Sequence, residues 1–307
     1  MSLRQTSVVF AYSEVGVRCL SVLLQADLEV SLVITHKDDP NETQWFTSVA
    51  ELAGRYAIPV LRPRDVNRSE VVRQIESLHP DWIFSFFYRQ LLGPRILGSA
   101  QRGALNMHGS LLPRYRGRAP INWAVLHGES ETGASLHEMI EKPDAGALID
   151  QQSVPILAND HAIDVARKVA VAAEIVLWRS LPRLLSGDFN RQALDLRQGS
   201  YFGGRRPEDG RIDWRADAWS IHNLIRAVAP PYPGAFFVAA GHHIRLLDSF
   251  FLDQPARGDV PRLYFEDACL HVDCHGGKRL SLPSATLDGK ALDAELFGSS
   301  FGAELLM

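Results

Sequence analysis

Short apolar runs alternate with helical segments over roughly the first 110 residues, and this alternation limits the folds open to the chain. The runs are rich in Val, Ile, Leu and Phe, which is typical of strands buried on both faces of a parallel sheet. We therefore predict an α/β fold with a doubly wound, mostly parallel, Rossmann-like sheet. One intervening helix is predicted to begin at 41–44, where the Asn-x-x-Gln spacing is close to a capping box. The predicted strands are Ser7–Tyr12, Val30–Thr35, Pro59–Leu61, Trp82–Phe87 and Leu105–His108.

The turn after the first predicted strand lacks the glycines of a dinucleotide-binding site. The chain reads Ala11-Tyr12-Ser13-Glu14-Val15-Gly16 there, without a Gly-x-Gly-x-x-Gly sequence. Those glycines allow the backbone to approach a pyrophosphate closely. We therefore do not expect this sheet to bind a nicotinamide dinucleotide.

The second half of the chain changes in texture. The predicted elements there are a helix from Pro120 towards Gly133, strands at Ala134–Ile140 and Ala147–Ile156, a long helix at Ala162–Leu185 and a polar linker at 187–202. From Tyr201 onward, short alternating runs among many Gly and Pro residues favour a small β-barrel. A length of 307 residues also suggests two domains. We predict a catalytic domain at 1–200 and a β domain at 201–307.

Charge and composition exclude several classes of function. The formal net charge is −4 and the pI is about 6.3, which does not suit a large nucleic-acid interface. No window approaches the ~18 consecutive apolar residues of a membrane helix. The N-terminal residues have no apolar core of a signal peptide, so a cytoplasmic location is expected. Cys19, Cys269 and Cys274 are too scattered for a disulfide framework, and 268–273 alternates like a strand, so no metal site is predicted.

The residues that carry chemistry follow the fifth predicted strand. Asn106 and His108 stand where that strand ends, Ser110 lies in the next turn, and Asp144 lies in a later loop. Ligands of open α/β sheets bind where strands end. An amide can stabilise an oxyanion, an imidazole can move a proton near neutral pH, and a carboxylate can orient the imidazole. The set therefore predicts acyl transfer. Ser110 is expected to support the turn, since no Gly-x-Ser-x-Gly elbow surrounds it.

These residues resemble the motif of the formyltetrahydrofolate-dependent formyltransferases. The family motif is His-x-Ser-Leu-Leu-Pro with a glycine four positions on, and the chain matches it completely at 108–117. The longer run 114–123, Arg-Tyr-Arg-Gly-Arg-Ala-Pro-Ile-Asn-Trp, resembles one branch most closely. That branch is the formyltransferase domain of the bifunctional polymyxin-resistance protein, which formylates UDP-4-amino-4-deoxy-L-arabinose. The resemblance covers nearly the whole chain and weakens after about Phe237.

The resemblance implies a fold, a co-substrate and site residues. It implies an OB-like C-terminal domain, catalysis by Asn106, His108 and Asp144, and 10-formyltetrahydrofolate as the formyl donor, without a metal. The residues implied in folate binding are Gln90, Leu91, Leu92, Arg118, Ile140, Glu141, Lys142, Pro143 and Asp144. The residues implied in binding an anionic sugar nucleotide are Ser110, Arg114, Arg116, Arg205 and Arg206. The last two arginines could equally belong to a solvated linker.

Several alternatives stay open. Methionyl-tRNA formyltransferase has a similar layout, but acidic residues outnumber basic ones at 253–293, where a tRNA-binding domain would be basic. Glycinamide ribonucleotide formyltransferase resembles only the first ~200 residues. Another nucleotide amino sugar could be the acceptor, and a non-catalytic folate- or sugar-binding module would have no use for the complete catalytic set. The bifunctional relative also has a decarboxylase domain that this sequence lacks, so the second activity lies on another protein, the sequence is one domain of a longer chain, or the sugar differs.

Overall fold

The computed structural model describes residues 4–37, 45–258 and 260–307. The predicted helix start at 41–44 lies outside the described residues. In chain order the strands are β1 (Gln5–Ala11), β2 (Leu28–Ile34), β3 (Val60–Leu61), β4 (Trp82–Phe86), β5 (Gly103–His108), β6 (Arg116–Gly117), β7 (Glu131–Glu138), β8 (Leu148–Pro155), β9 (Tyr201–Phe202), β10 (Ala235–Ala239), β11 (His242–Pro255), β12 (Arg262–Glu266), β13 (Cys269–Asp273), β14 (Lys278–Leu287), β15 (Lys290–Ala291) and β16 (Glu304–Leu306). The helices are α1 (Ser13–Gln25), α2 (Val49–Arg55), α3 (Ser69–Ser77), α4 (Pro94–Leu97), α5 (Pro120–Leu126), α6 (Ala162–Ser186), α7 (Ala218–Val228) and α8 (Ala294–Phe301).

The chain forms two compact units. The first comprises Met1–Pro120, Glu131–Val154 and Ala166–Gly203, and the second comprises Ile121–Ser130, Pro155–Val165 and Gly204–Met307. Two short segments that the sequence prediction assigned to the first domain, 121–130 and 155–165, thus group with the second unit. The prediction of a linker at 187–202 was wrong, because this segment packs within the first unit and contains β9, which pairs with β6.

The first unit contains the predicted doubly wound sheet. Its strand order is β3-β2-β1-β4-β5-β7-β8, and β1 pairs in parallel with both β2 and β4. The order therefore reverses between β1 and β4, and ligands of such sheets bind at the carboxyl ends of the strands on either side of the reversal. Strand β4 is buried along its whole length, as expected for a central strand covered on both faces. Strand β7 joins β5 in the antiparallel direction.

The second unit is built on a curled antiparallel sheet. The strand order is β10-β11-β14-β13-β12-β16, and β15 pairs with β14. The β11–β14 pairing shifts register at several points along the 14 residues of β11. Such bulges bend a strand and increase its twist, so the sheet curls into a half-barrel. This confirms the predicted small β domain. Over the part of the chain that the structure describes, no helix is long and apolar enough to cross a membrane.

A buried carboxylate joins three neighbouring strands of the half-barrel. Asp273 is fully buried and accepts a hydrogen bond from Arg279 Nε at 2.9 Å, across the β13–β14 pair. It also accepts one from the Tyr264 hydroxyl at 3.1 Å and one from the Arg257 backbone N–H at 2.8 Å. The charge of Asp273 is thus fully compensated by partners.

We expect Asp273→Asn to destabilise the second unit by about 3 kcal/mol, because it removes the nearer and fully buried counter-charge of Arg279 and leaves only the more exposed Glu266 at 3.5 Å. The measurement is the free energy of unfolding from urea denaturation followed by circular dichroism. Asp253→Asn, a change of the same kind at an exposed position, should stay within about 0.5 kcal/mol of the parent protein. Equal stabilities for the two variants would show that the buried network does not stabilise the half-barrel.

Candidate active site

The end of β5 delivers two of the predicted catalytic side chains to the carboxyl edge of the sheet. Successive side chains of a strand alternate between its two faces, so Asn106 and His108, two positions apart, lie on the same face. Strand β5 lies between β4 and β7, which brings residues of both neighbours to the same edge. His108 is 6% exposed, so its ring is largely removed from water.

The hydrogen bond of His108 determines which ring nitrogen is basic. Nε2 lies 2.8 Å from the backbone carbonyl of Tyr115. Because a carbonyl oxygen only accepts, Nε2 must carry the proton, and the lone pair of the neutral ring is on Nδ1. Nδ1 lies 3.6 Å from Asp144 Oδ1. Burial lowers the pKa of His108, and the negative charge of Asp144 only partly opposes this effect. The imidazole is therefore neutral near pH 7, with its basic nitrogen beside a carboxylate.

Asp144 comes from the loop between β7 and β8, where its backbone adopts φ 50°. Aspartate tolerates this left-handed conformation better than most residues. Oδ2 accepts a hydrogen bond from the Gly117 backbone N–H at 2.9 Å. Burial alone would raise the pKa of Asp144, but the positive charges that His108 and His137 carry when protonated, together with the N–H of Gly117, outweigh it and hold the pKa well below its ordinary value. Asp144 is therefore ionised.

The sequence prediction missed one member of this network, His137. Strand β7 pairs with β5 so that His137 lies directly opposite Asn106. His137 Nδ1 donates to the Glu138 carbonyl at 2.8 Å, so Nε2 is free to accept, and it lies 3.1 Å from Asn106 Nδ2. The same Nε2 is 3.5 Å from Asp144 Oδ1. One N–H of the Asn106 amide is thus held by His137, which leaves its second N–H for a ligand.

A cavity of about 410 Å³ opens beside the network within the first unit. Asn106, His108 and His137 line it. So do eight of the nine residues predicted to bind folate, namely Gln90, Leu91, Leu92, Arg118, Ile140, Glu141, Pro143 and Asp144. Lys142 does not line the cavity. The volume of the cavity lies in the usual range for a small-molecule site.

Side-chain hydrogen bonds hold the cavity wall at 90–92 against residues 64–67. Gln90 Oε1 accepts from the Val66 N–H at 2.9 Å, and Gln90 Nε2 donates to the Arg64 carbonyl. Asn67, which the sequence prediction did not identify, donates to the Leu91 carbonyl at 3.0 Å. The Leu91 side chain is 72% exposed, an unusual state for a large apolar residue. This wall therefore combines a rigid backbone with apolar surface that a ligand could cover.

The five residues predicted to contact an anionic substrate do not line the cavity. Ser110 is fully buried, and its hydroxyl donates to the Arg114 carbonyl at 2.7 Å, as expected for a turn-supporting serine. Arg116 is 9% exposed, and its Nε finds no hydrogen-bond partner among the described residues. Arg205 and Arg206 belong to the second unit, where Arg205 lies over the Trp123 ring and donates to the Asp209 carbonyl.

The arrangement can stabilise a developing negative charge and manage a proton at the same edge. The second Asn106 N–H is a neutral donor, and the His108 lone pair beside an ionised Asp144 is a base whose conjugate acid is stabilised by that charge. These are the requirements of acyl transfer to an amine. Within residues 4–37, 45–258 and 260–307, no group of three or more His, Cys, Asp or Glu side chains could hold a metal ion.

Two family models match the chain. Residues 8–181 match the model described as formyl transferase, and residues 205–302 match the model described as formyl transferase, C-terminal domain. The first match covers the central sheet as far as α6 and contains Asn106, His108, His137 and Asp144. The second match covers most of the half-barrel unit.

Solved structures with the same fold carry related descriptions. The N-formyltransferase from Helicobacter canadensis, solved with folinic acid and dTDP-3-aminofucose, has a TM-score of 0.71 at 18% identity, over 92% of this chain and 99% of that one. WlaRD, a sugar 3N-formyl transferase solved in the presence of dTDP and 5-N-formyl-THF, has a TM-score of 0.72 at 20% identity, over 94% and 99%. A 4-N formyltransferase from Francisella tularensis has a TM-score of 0.62 at 19% identity, over 77% and 93%. At these identities the likeness establishes the fold.

We expect Asp144→Asn to lower the pKa of His108 further, because the carboxylate is the charge that favours the imidazolium. The measurement is an NMR pH titration of the His108 ring resonances. Asp188→Asn, an exposed control outside the cavity, should leave the titration unchanged. A His108 pKa that is unchanged or raised in Asp144→Asn would contradict the electrostatic coupling.

Proposed function

Because the chain belongs to the formyl transferase family, we propose that it transfers a formyl group from 10-formyltetrahydrofolate to the amine of a nucleotide-linked amino sugar. The acceptor that we propose first is UDP-4-amino-4-deoxy-L-arabinose, which would give the enzyme a role in lipid A modification and polymyxin resistance. The observation that carries the proposal is the convergence of Asn106, His108 and Asp144 at one cavity edge. A module that only bound folate or sugar would not need an imidazole held between a carbonyl and an ionised carboxylate.

The proposed reaction passes through a tetrahedral carbon. The amine nitrogen attacks the formyl carbon, the bond from that carbon to folate N10 breaks, and the proton lost by the amine ends on N10. Negative charge develops on the formyl oxygen before the bond breaks. The second N–H of Asn106 is proposed to donate to that oxygen, and His137 keeps the amide in place at 3.1 Å. A donor oriented in advance costs no reorganisation in the transition state.

His108 and Asp144 are proposed to carry the proton. The amine proton would move to the His108 Nδ1 lone pair, and the resulting imidazolium would lie between the Tyr115 carbonyl and Asp144. Both of its N–H groups would then have an acceptor, one of them charged. Because burial lowers the pKa of His108, the imidazolium can release the proton to folate N10 in the next step.

The cavity walls suit a folate. Leu91, Leu92 and Ile140 offer apolar surface for a flat pterin ring, while the backbone beside them offers hydrogen-bonding groups. Arg118 is exposed at the same cavity, where its guanidinium could pair with a carboxylate of the folate tail. Lys142 is not part of this proposal, since it does not line the cavity.

The amine acceptor is proposed from two kinds of support. The run 114–123 resembles the arabinose-specific branch, and the Francisella tularensis structure is described as a 4-N formyltransferase. The Helicobacter canadensis and WlaRD structures are described with dTDP-linked or 3-amino sugars, so the sugar position and the base are part of the test. Methionyl-tRNA remains the second candidate, although the formal net charge of −4 disfavours it.

We expect purified protein with 10-formyltetrahydrofolate to release tetrahydrofolate when UDP-4-amino-4-deoxy-L-arabinose is added. Release is measured by absorbance, and the formylated sugar nucleotide is identified by mass spectrometry. The same assay is run with dTDP-linked 3-amino and 4-amino sugars and with initiator methionyl-tRNA. Turnover with a dTDP-linked sugar alone would show that the acceptor carries thymidine and not uridine. Turnover with methionyl-tRNA alone would show that the acceptor is a tRNA and not a sugar nucleotide. No turnover with any amine would contradict the proposed function.

We expect Asn106→Ala to lower kcat by about 10²–10³, because it removes the oxyanion donor. The measurement is steady-state kinetics with whichever amine is accepted. Asn190→Ala, which removes the same side chain from an exposed position, should keep the parent kcat. An Asn106→Ala enzyme with unchanged kcat would contradict the catalytic role of the amide.

A further inference from the structure

We infer that residues 199–202 are a positioning segment that holds His108 and Asp144 in their reactive geometry. The inference rests on the proposed formyl transfer. It concerns a part of the chain whose composition indicates a plain linker. The segment is proposed to act through the 113–118 turn, which lies between it and the catalytic side chains.

Residues 199–202 bind the 113–118 turn through main-chain and side-chain contacts. Four hydrogen bonds and one ring stack connect them: Ser200 N to Pro113 O at 3.3 Å, Tyr115 N to Ser200 Oγ at 2.8 Å, Arg116 N to Ser200 O at 3.0 Å, Arg118 N to Phe202 O at 2.9 Å, and Tyr115 on Phe202 with ring centroids 5.3 Å apart. These contacts comprise the β6–β9 pair and, next to it, the hydrogen bond from the Tyr115 N–H to the Ser200 hydroxyl. Three backbone N–H groups of the turn, those of Tyr115, Arg116 and Arg118, are therefore fixed by the positioning segment.

Two other backbone groups of the turn bind the residues proposed to be catalytic. The Tyr115 carbonyl accepts from His108 Nε2–H, and the Gly117 N–H donates to Asp144 Oδ2. Both are backbone groups, so they can be placed only by placing the backbone itself. The Tyr115 carbonyl and the Arg116 N–H belong to one planar trans peptide and point in opposite directions, and the Gly117 N–H lies in the peptide between the bound N–H groups of Arg116 and Arg118. Binding of one side of the turn to 199–202 thus aims the other side at His108 and Asp144.

The two segments approach so closely that side chains are excluded at two glycines. A Cβ atom on Gly199 would lie 2.3 Å from the Pro113 carbonyl oxygen, and one on Gly117 would lie 2.1 Å from the Phe202 carbonyl oxygen. Gly117 also has φ +98°, whereas Gly199 has φ −106°, which any residue adopts. Alanine at 199 would therefore separate the two segments without imposing backbone strain of its own.

The positioning segment also reaches the cavity. Tyr201 lines the cavity and is 58% exposed, while its neighbour Phe202 packs on Tyr115. This alternation is that of a strand with one face on the turn and one face open to a ligand. Displacement of the segment would thus alter a cavity wall as well as the catalytic geometry.

The test compares Gly199→Ala with Gly203→Ala. A Cβ on Gly203 would meet nothing within 4 Å, so the same substitution four positions away is the matched control. We expect Gly199→Ala to lower kcat by about 100-fold, since displacement of reacting groups by about 1 Å costs that much. Gly203→Ala should keep the parent kcat. The melting temperature of each variant is measured in parallel, and kinetics are recorded well below it.

A second readout does not depend on turnover. The ring Nε2–H of His108, buried and bonded to Tyr115, should give a ¹H–¹⁵N NMR signal that is protected from exchange with water. In Gly199→Ala that signal should be lost, and in Gly203→Ala it should persist. Because the signal requires no substrate, it tests the inference even if no amine is formylated.

The outcomes separate positioning from a purely structural role. Loss of kcat together with loss of the His108 signal supports the inference. A lower melting temperature with an unchanged kcat and an unchanged signal would overturn it. If circular dichroism shows that Gly199→Ala does not fold, Ser200→Ala decides, because it removes only the hydroxyl that accepts from the Tyr115 N–H. A fall in kcat of about 5-fold is then expected, and a parent-like kcat and signal would overturn the inference.

Discussion

The site depends on an ionised carboxylate held between two imidazoles. Asp144 lies 3.6 Å from His108 and 3.5 Å from His137, and the backbone N–H of Gly117 binds its other oxygen. Each imidazole has its second nitrogen committed to a backbone carbonyl, so both rings turn a lone pair towards this region. When His108 takes up a proton, the charge of Asp144 stabilises the imidazolium, while burial opposes its formation and favours release of the proton. That property is what an enzyme needs when an amine must lose a proton in the course of an attack.

The sheet makes this arrangement possible by bringing distant segments to one edge. The central strands are buried on both faces, so their backbone is rigid where β5 ends. Antiparallel β7 brings His137 opposite Asn106, and the loop after β7 returns with Asp144. Loops supply part of the cavity wall, as the 90–92 segment and Ile140 do. Strands β5 and β7 thus carry Asn106, His108 and His137, while loops carry Asp144 and much of the cavity wall.

Sequence reasoning predicted the sheet from local patterns, and a local motif with a family resemblance singled out Asn106, His108 and Asp144, which the structure brings to one cavity. Apolar runs identify buried strands, and the motif at 108–117 identifies the turn. His137 was out of reach, because it joins the site through antiparallel pairing whose register depends on the whole sheet. The prediction of a linker at 187–202 was wrong for a related reason. A polar, irregular segment has the same composition whether its backbone is solvated or bound to another segment, and here 199–202 is bound to the 113–118 turn.

In the proposed complex, the formyl donor lies in this cavity with its formyl group against the Asn106 amide. A crystal structure of the protein with 5-formyltetrahydrofolate, which cannot transfer its formyl group directly, tests this most directly. We expect the pterin ring to lie between the 90–92 wall and Ile140. We also expect the one-carbon end of the folate, which carries the formyl group, to lie about 3 Å from Asn106 Nδ2 and beside His108. A folate bound outside this cavity, or bound with its one-carbon end turned away from Asn106 and His108, would contradict it.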